Sequence, residues 1–299
     1  MAASPPRPLL IYLHIPKNAG TTLGRMIKLK LGFWPPDRLL HHTTTLGCYH
    51  VAGEGPRIEA VRRLSERDQR RVRFFEGHMG FGVHKLLPRP STYITMLRDP
   101  IDRAISVYYF ARQDGVIPQD MTLEAFLLHG DPKRVWWIDN AQVRYLAGHD
   151  GEIVSVPRGT CRPELLEVAK RRLDEHFLFA GITERFDASV NLLGRILGWR
   201  SCYYATSNVT EQRKSKEEMP QTTLDLLREH NTLDLDLYDY ARTRFEDRVR
   251  REGPSFQAEL ERFEVSNRRY NNTVGRMYSV LPMGRRLLSR LGIIRGATR

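Results

Sequence analysis

Cysteine is scarce in this chain of 299 residues. Cys48, Cys161 and Cys202 are the only three, an odd and widely spaced set. They exclude a disulfide scaffold and a cysteine-based zinc ribbon. Long apolar runs are missing as well. The run near the start, Leu9 to Leu13, is far short of the roughly 20 residues that span a bilayer. Pro5, Pro6 and Pro8 precede it and a polar loop follows, so it lacks the form of a signal peptide. The expected location is therefore cytoplasmic, unless the chain is the soluble fragment of something longer. Internal repeats and low-complexity tracts are absent. Acidic charge is the minority: 47 Lys and Arg against 35 Asp and Glu leave a net charge of +12. That balance suggests an anionic partner, such as a nucleotide, a phosphate or sulfate ester, an acidic polymer or a membrane surface. Hydrophobic residues at 41% and charged residues at 27% are ordinary for a globular protein and exclude general disorder.

What is present reads as strands alternating with helices. Leu9 to His14 is apolar throughout, as in a strand buried on both faces of a parallel sheet. A Pro/Gly loop follows, and Leu23, Met26, Ile27 and Leu31 then share a helix face over Thr21–Leu31. A charged, exposed helix is expected over Ile58–Arg71, and strands over Val72–Glu76, Ser91–Leu97 and Phe177–Gly181. The third of these four strands runs into Arg98-Asp-Pro100. There Asp99 is a good N-cap, Pro100 suits the first helical position, and a helix should run to about Gln113. Further helices are expected near 122–129, 134–147, 163–175 and 184–197, and over Leu233–Arg251. The pattern predicts an α/β, P-loop-like three-layer fold with a central parallel sheet flanked by helices. It divides into a disordered leader (1–8), one domain (9–275) and a basic amphipathic tail (276–299), which could contact a membrane or polyanion.

Two segments carry chemistry. In His14-Ile-Pro-Lys17-Asn18-Ala19-Gly20-Thr21-Thr22, a Gly-containing turn between strand and helix points backbone N–H groups at an anion. Lys17 adds charge and the two threonines add hydroxyls. The order is not that of a Walker A loop, where the Lys follows the second Gly. A purely structural βα turn with an exposed lysine is the alternative. In Met96-Leu-Arg98-Asp-Pro-Ile-Asp-Arg-Ala-Ile-Ser106, Arg98 lies at the C-terminal end of a strand, where open α/β sheets bind ligands. Ser106 follows two helical turns later. An Arg fork with a hydroxyl suits a phosphate dianion, although Arg98 in an ion pair with a nearby carboxylate reads equally well.

As an ordered pair the two segments resemble the sulfotransferases that use 3′-phosphoadenosine 5′-phosphosulfate (PAPS). The similarity is to the carbohydrate branch related to heparan sulfate 2-O-sulfotransferase. His14 to Thr22 is similar to that family's 5′-phosphosulfate loop, and Leu97 to Tyr109 to its 3′-phosphate segment. Weaker likenesses occur at Gly77-His78-Met-Gly-Phe81, Asp139 to Gly148, Gly181 to Phe186 and Leu235 to Tyr238. The loop departs from the more frequent Lys-Thr-Gly-Gly or Lys-Thr-Ala-Gly, and Asn18 is expected to tolerate the turn. Animal members carry an N-terminal Golgi anchor, of which this chain shows none, so a bacterial-type soluble enzyme is expected.

The resemblance implies in-line transfer of a sulfuryl group from PAPS to a carbohydrate hydroxyl, with adenosine 3′,5′-bisphosphate as product and no metal. Lys17, Asn18, Ala19, Gly20, Thr21 and Thr22 would hold the phosphosulfate, Arg98 and Ser106 the 3′-phosphate, and Lys17 the charge on the leaving oxygen. His78 is the expected base, since neutral imidazole suits proton abstraction near pH 7. Glu76 is the reserve. The loop Gln212-Arg213-Lys214 could close over the nucleotide. Asn140 and Arg144, four apart on a helix, could meet nucleotide or acceptor. Competing readings are a P-loop kinase, a non-enzymatic polyanion binder and an inactive nucleotide-binding relative. Nothing in the sequence marks nucleic-acid binding, and the oligomeric state is open.

Overall fold

The computed structural model describes residues 8–32, 48–51, 61, 63–129, 137–205 and 213–275. The expected tail, residues 1–7 of the expected leader, and Gln212 of the loop expected to close over the nucleotide lie outside the described residues.

The first strand, β1 (Leu9–Leu13), is buried at every position. A strand with no exposed side chain needs cover on both sheet faces, which is the condition of a parallel sheet. Four more strands join it: β2 (Cys48–Val51), β3 (Phe74–Gly77), β4 (Ser91–Leu97) and β5 (Phe177–Ile182). Their order is β2–β3–β1–β4–β5, and every pairing is parallel. Thus β1 lies between β3 and β4, and the loops that follow these three strands emerge at one edge of the sheet. This is the edge at which open α/β sheets bind ligands.

The helices are α1 (Gly20–Lys30), α2 (Glu66–Arg71), α3 (Pro100–Gln113), α4 (Leu123–His129), α5 (Ala141–Leu146), α6 (Pro163–His176), α7 (Phe186–Leu197), α8 (Gln221–Glu229), α9 (Thr232–Glu252) and α10 (Pro254–Tyr270). The main core joins the strands to Leu23, Met26 and Ile27 of α1, Leu166 and Leu173 of α6, Leu192 and Leu193 of α7, and Leu237 and Phe245 of α9. A second core binds α3, α4 and α8 through Ile105, Phe126, Leu127 and Leu227. Among the described residues no helix is long and apolar enough to cross a membrane.

Several expectations need correction. The helix expected over Ile58–Arg71 is not one element. It is interrupted at residues 63–65, and α2 begins only after Ser65, whose hydroxyl accepts the Asp68 N–H. An Ser-Glu-Arg-Asp start outcompetes continuation because the cap satisfies an amide that the helix leaves open. Likewise α5 starts at Ala141 rather than near 134, with Asn140 in the left-handed region before it. Strand β2 and helices α8 and α10 were not expected.

Candidate active site

The loop after β1 is built around backbone that side-chain-bearing residues rarely adopt. Lys17 has φ 68° and Ala19 φ 57°, each at a cost of roughly 1–2 kcal/mol. Between them the Asn18 side chain turns inward and is wholly buried. Its amide nitrogen donates to the Met96 carbonyl at 2.8 Å and to Gln142 at 2.9 Å. The inward asparagine holds the loop while the main chain at 19–22 opens into α1. Ala19, the N-cap, offers no side chain to the first turn, so the amides of that turn are directed at whatever lies beyond the sheet edge. Thr21 is half-buried and Thr22 buried.

Three cations meet here. Arg98, at the end of β4, donates from Nη1 to the Lys17 carbonyl at 2.9 Å. Lys17 Nζ stands 4.4 Å from the centre of the Phe110 ring on α3. Ser106, one turn before Phe110, is buried on that face. Arg213 reaches the same place from the segment before α8 and pairs with Asp102 at 2.5 Å. Burial, then Arg98 and Arg213, bring the Lys17 ammonium down to about 8. Burial and Arg213 lower Arg98 as well. The Nε groups of Arg98 and Arg213 are buried donors with no acceptor among the described residues. Clustered cations with unfilled donors fit an anion of more than one charge.

Beside this cluster lies a second, uncharged-to-acidic array. Tyr12 of β1 pairs in register with Glu76 of β3. Two residues on, His14 and His78 stand on the same side, their ring centres 4.4 Å apart. His14 stacks on Tyr12. His78 Nδ1 lies 2.8 Å from the His14 carbonyl oxygen. A carbonyl only accepts, so the hydrogen-bond network assigns the proton to Nδ1 and the imidazole lone pair to Nε2. Glu76 is buried and pairs with Lys28 of α1 at 2.5 Å. Helix α1 can approach this array because Gly20 and Gly24 face it. A Cβ at Gly20 would overlap the His14 ring, and one at Gly24 would stand 2.5 Å from Glu76 Oε2.

The structure therefore brings together Lys17, Ala19, Gly20, Thr21, Thr22, Arg98 and Ser106, with His78 and Glu76 at the neighbouring strand end. Asn140 and Arg144 do not join them. The Asn140 side chain accepts the N–H groups of Leu233 and Asp234 at the start of α9. Arg144 is buried in an ion pair with Asp139 and also donates to the carbonyls of Val154, Val156 and Pro157. Both are structural, since burial leaves neither side chain facing a ligand. Residues not singled out from sequence include Gln142, Phe110 and Glu184. Glu184 accepts the Asp99 N–H at 3.0 Å and the Tyr238 hydroxyl at 2.9 Å. This explains why segments 181–186 and 235–238 accompany Arg98: they brace the turn that carries it. No periodicity marks such contacts, which join residues 54 and 85 positions apart only through the fold. Among the described residues no group of three or more His, Cys, Asp or Glu is placed to hold a metal ion.

The chain is 26% identical over 265 residues to a protein of Drosophila melanogaster described as heparin sulfate O-sulfotransferase, a match covering 80% of this chain and 72% of that protein. It is 24% identical to heparan sulfate 2-O-sulfotransferase 1 of Mus musculus, covering 80% and 70%. A solved sulfotransferase from Alicyclobacillus acidocaldarius aligns at 16% identity with a TM-score of 0.42, over 78% of this chain and 95% of that one. The family model described as Galactose-3-O-sulfotransferase matches residues 1–274. The chain belongs to the galactose-3-O-sulfotransferase family.

Proposed function

We propose that the protein transfers a sulfuryl group from PAPS to a carbohydrate hydroxyl. The observation that carries the donor is the meeting of Lys17, Arg98 and Arg213 at the sheet edge, two of them with buried, unfilled Nε donors. A nucleotide with phosphates at both ends of its ribose supplies the separated anions that this set fits. Carbohydrate acceptors are named for the family and for both relatives above.

The donor supplies a sulfuryl group already activated as a phosphosulfate anhydride. The amides of residues 18–22, with the Thr21 and Thr22 hydroxyls, bind its phosphosulfate end. Arg98 and Ser106, joined by Arg213, bind the 3′-phosphate. Lys17 Nζ holds positive charge beside the bridging oxygen, where charge grows as the bond to sulfur breaks. Phe110 keeps that ammonium in place and excludes water from one side of it. His78 accepts the acceptor's hydroxyl proton at Nε2, while its Nδ1–H stays on the His14 carbonyl. Glu76, held by Lys28, lies behind the histidines and serves as support rather than as the base.

Calorimetry with adenosine 3′,5′-bisphosphate, ATP and ADP tests the donor site. The expected result is tight binding of the bisphosphate, weak binding of the other two, and loss of at least about tenfold in Lys17→Ala and Arg98→Ala. A folded protein that does not bind the bisphosphate sinks this reading. Sulfate transfer to a panel of neutral and sulfated oligosaccharides then identifies the acceptor.

A further inference from the structure

The side chain of Gln142, at the start of α5, is fully buried and lies between two parts of the proposed donor site. Its Oε1 accepts from Asn18 Nδ2 at 2.9 Å and from the Arg98 N–H at 3.0 Å. Its Nε2 donates to the Arg98 carbonyl at 2.9 Å. The orientation of both amides follows from partners with one role only. The Met96 carbonyl accepts, so Asn18 presents nitrogen to it. The Arg98 N–H donates, so Gln142 presents oxygen. The carboxamide is itself anchored: the N–H groups of Gln142 and Val143 are held by the two Asp234 oxygens at 2.9 and 2.8 Å. Segments 124 and 44 residues away in sequence are thereby tied to one rigid helix end.

We propose that Gln142 is a positioning residue whose carboxamide bridges Asn18 to the main chain of Arg98, and so sets the distance between the Lys17 loop and the Arg98 guanidinium. The physical need is clear. Lys17 and Ala19 sit in left-handed backbone, and Lys17 and Arg98 repel each other. Without an internal brace the loop relaxes toward ordinary backbone and the two cations separate. Arg98 also donates to the Lys17 carbonyl, so the bridge and that bond close a ring through Asn18, Gln142, Arg98 and Lys17. The expected consequence for donor binding rests on the function proposed above, whereas the geometric claim does not.

Two variants cut the bridge from opposite sides: Gln142→Met, which keeps side-chain length, and Asn18→Ala. The first measurement needs no ligand. Competitive acylation of Lys17 across pH, read by peptide mass spectrometry on protein that melts cooperatively, reports the setting of its amine. The parent midpoint is expected near 8. It should rise by a unit or more in each variant and no further in the double variant, as for groups acting through one contact. The second measurement is calorimetry with adenosine 3′,5′-bisphosphate. Each single variant should bind about 10²-fold more weakly, the scale of a misplaced binding group, with the acceptor KM unchanged and no added loss in the double variant. An unmoved Lys17 midpoint in either folded variant overturns the proposal, as do losses that add. A midpoint that moves as expected, in a protein that does not bind the bisphosphate, upholds the bridge and removes the donor reading instead.

Discussion

The carbonyl oxygen of His14 stands 2.8 Å from Nδ1 of His78, so the end of β1 orients the imidazole that follows β3. The same backbone amide of His14 donates to the Gly77 carbonyl at 3.0 Å. The parallel pairing of the strands thus continues past their last paired residues and fixes one imidazole nitrogen as donor. In the proposed reaction the other nitrogen, Nε2, takes the proton.

If His78 takes the acceptor's proton, His78→Ala lowers kcat by about 10²–10⁴-fold, the usual worth of a general base. Affinity for adenosine 3′,5′-bisphosphate should stay within a few-fold of the parent. Steady-state kinetics beside calorimetry check both. A variant retaining most of its kcat would remove His78 from the reaction.

Glu76→Gln separates support from proton transfer. The Glu76–Lys28 pair is nearly dry on the carboxylate side, so neutralising one partner should cost roughly 3 kcal/mol of stability, the lower end for buried pairs because the lysine keeps some water. Thermal melts should show that loss. The folded fraction should keep far more kcat than His78→Ala does. Equal loss of kcat in the two variants would make Glu76 a participant in proton transfer.

Lys17 makes donor binding depend on pH with a definite sign. Its ammonium falls from 10.5 to about 8 in the folded protein, first by burial and then by the two arginines. Between those values the unfolded chain holds the extra proton, so folding stability rises with pH across that window. Anion binding needs the charged amine, so bisphosphate affinity should fall as pH rises through about 8, by up to roughly tenfold per unit. Titration at pH 8.5 in buffers of different ionisation enthalpy should detect proton uptake on binding. Lys17→Ala should abolish that uptake, and its persistence would assign the proton elsewhere.

Gly20→Ala tests the approach of α1 to the histidines. The added methyl overlaps the His14 ring, and overpacking of this kind costs about 1–3 kcal/mol. The helix start and His14 must move apart, which disturbs both the Lys17 loop and the carbonyl that orients His78. Loss of kcat and of bisphosphate affinity together is expected, with a lowered melting temperature. A variant with parent kinetics would show that this packing does not matter to the site.

Much of the sheet is legible along the chain because its signals are local. Leu9 to Leu13 and Ser91 to Leu97 are short apolar or β-branched runs closed by loop residues, and Asp99-Pro100 starts α3 by capping alone. The unexpected β2 is bounded by Gly47 and by Gly53 to Pro56, but its four residues are too few to show an alternation. Helices α8 and α10 are absent from the expected elements, although Phe256, Leu260 and Phe263 recur at helical spacing behind Pro254, a signal that the sequence carries.

By itself the sequence determined the order of these groups: a lysine loop after the first expected strand, a histidine after the second and an arginine after the third. Each is specified by short-range rules of strands, turns and caps. Only the tertiary structure decided which of these groups face one another. Parallel pairing of β1 with both β3 and β4 brings their ends to one edge. That edge sets Lys17 against Arg98, draws in Arg213, turns Asn18 toward Gln142 and withdraws Asn140 and Arg144 into capping and a buried ion pair. Such contacts join positions far apart in the chain, and their energy depends on burial and distance, which exist only once the core has closed.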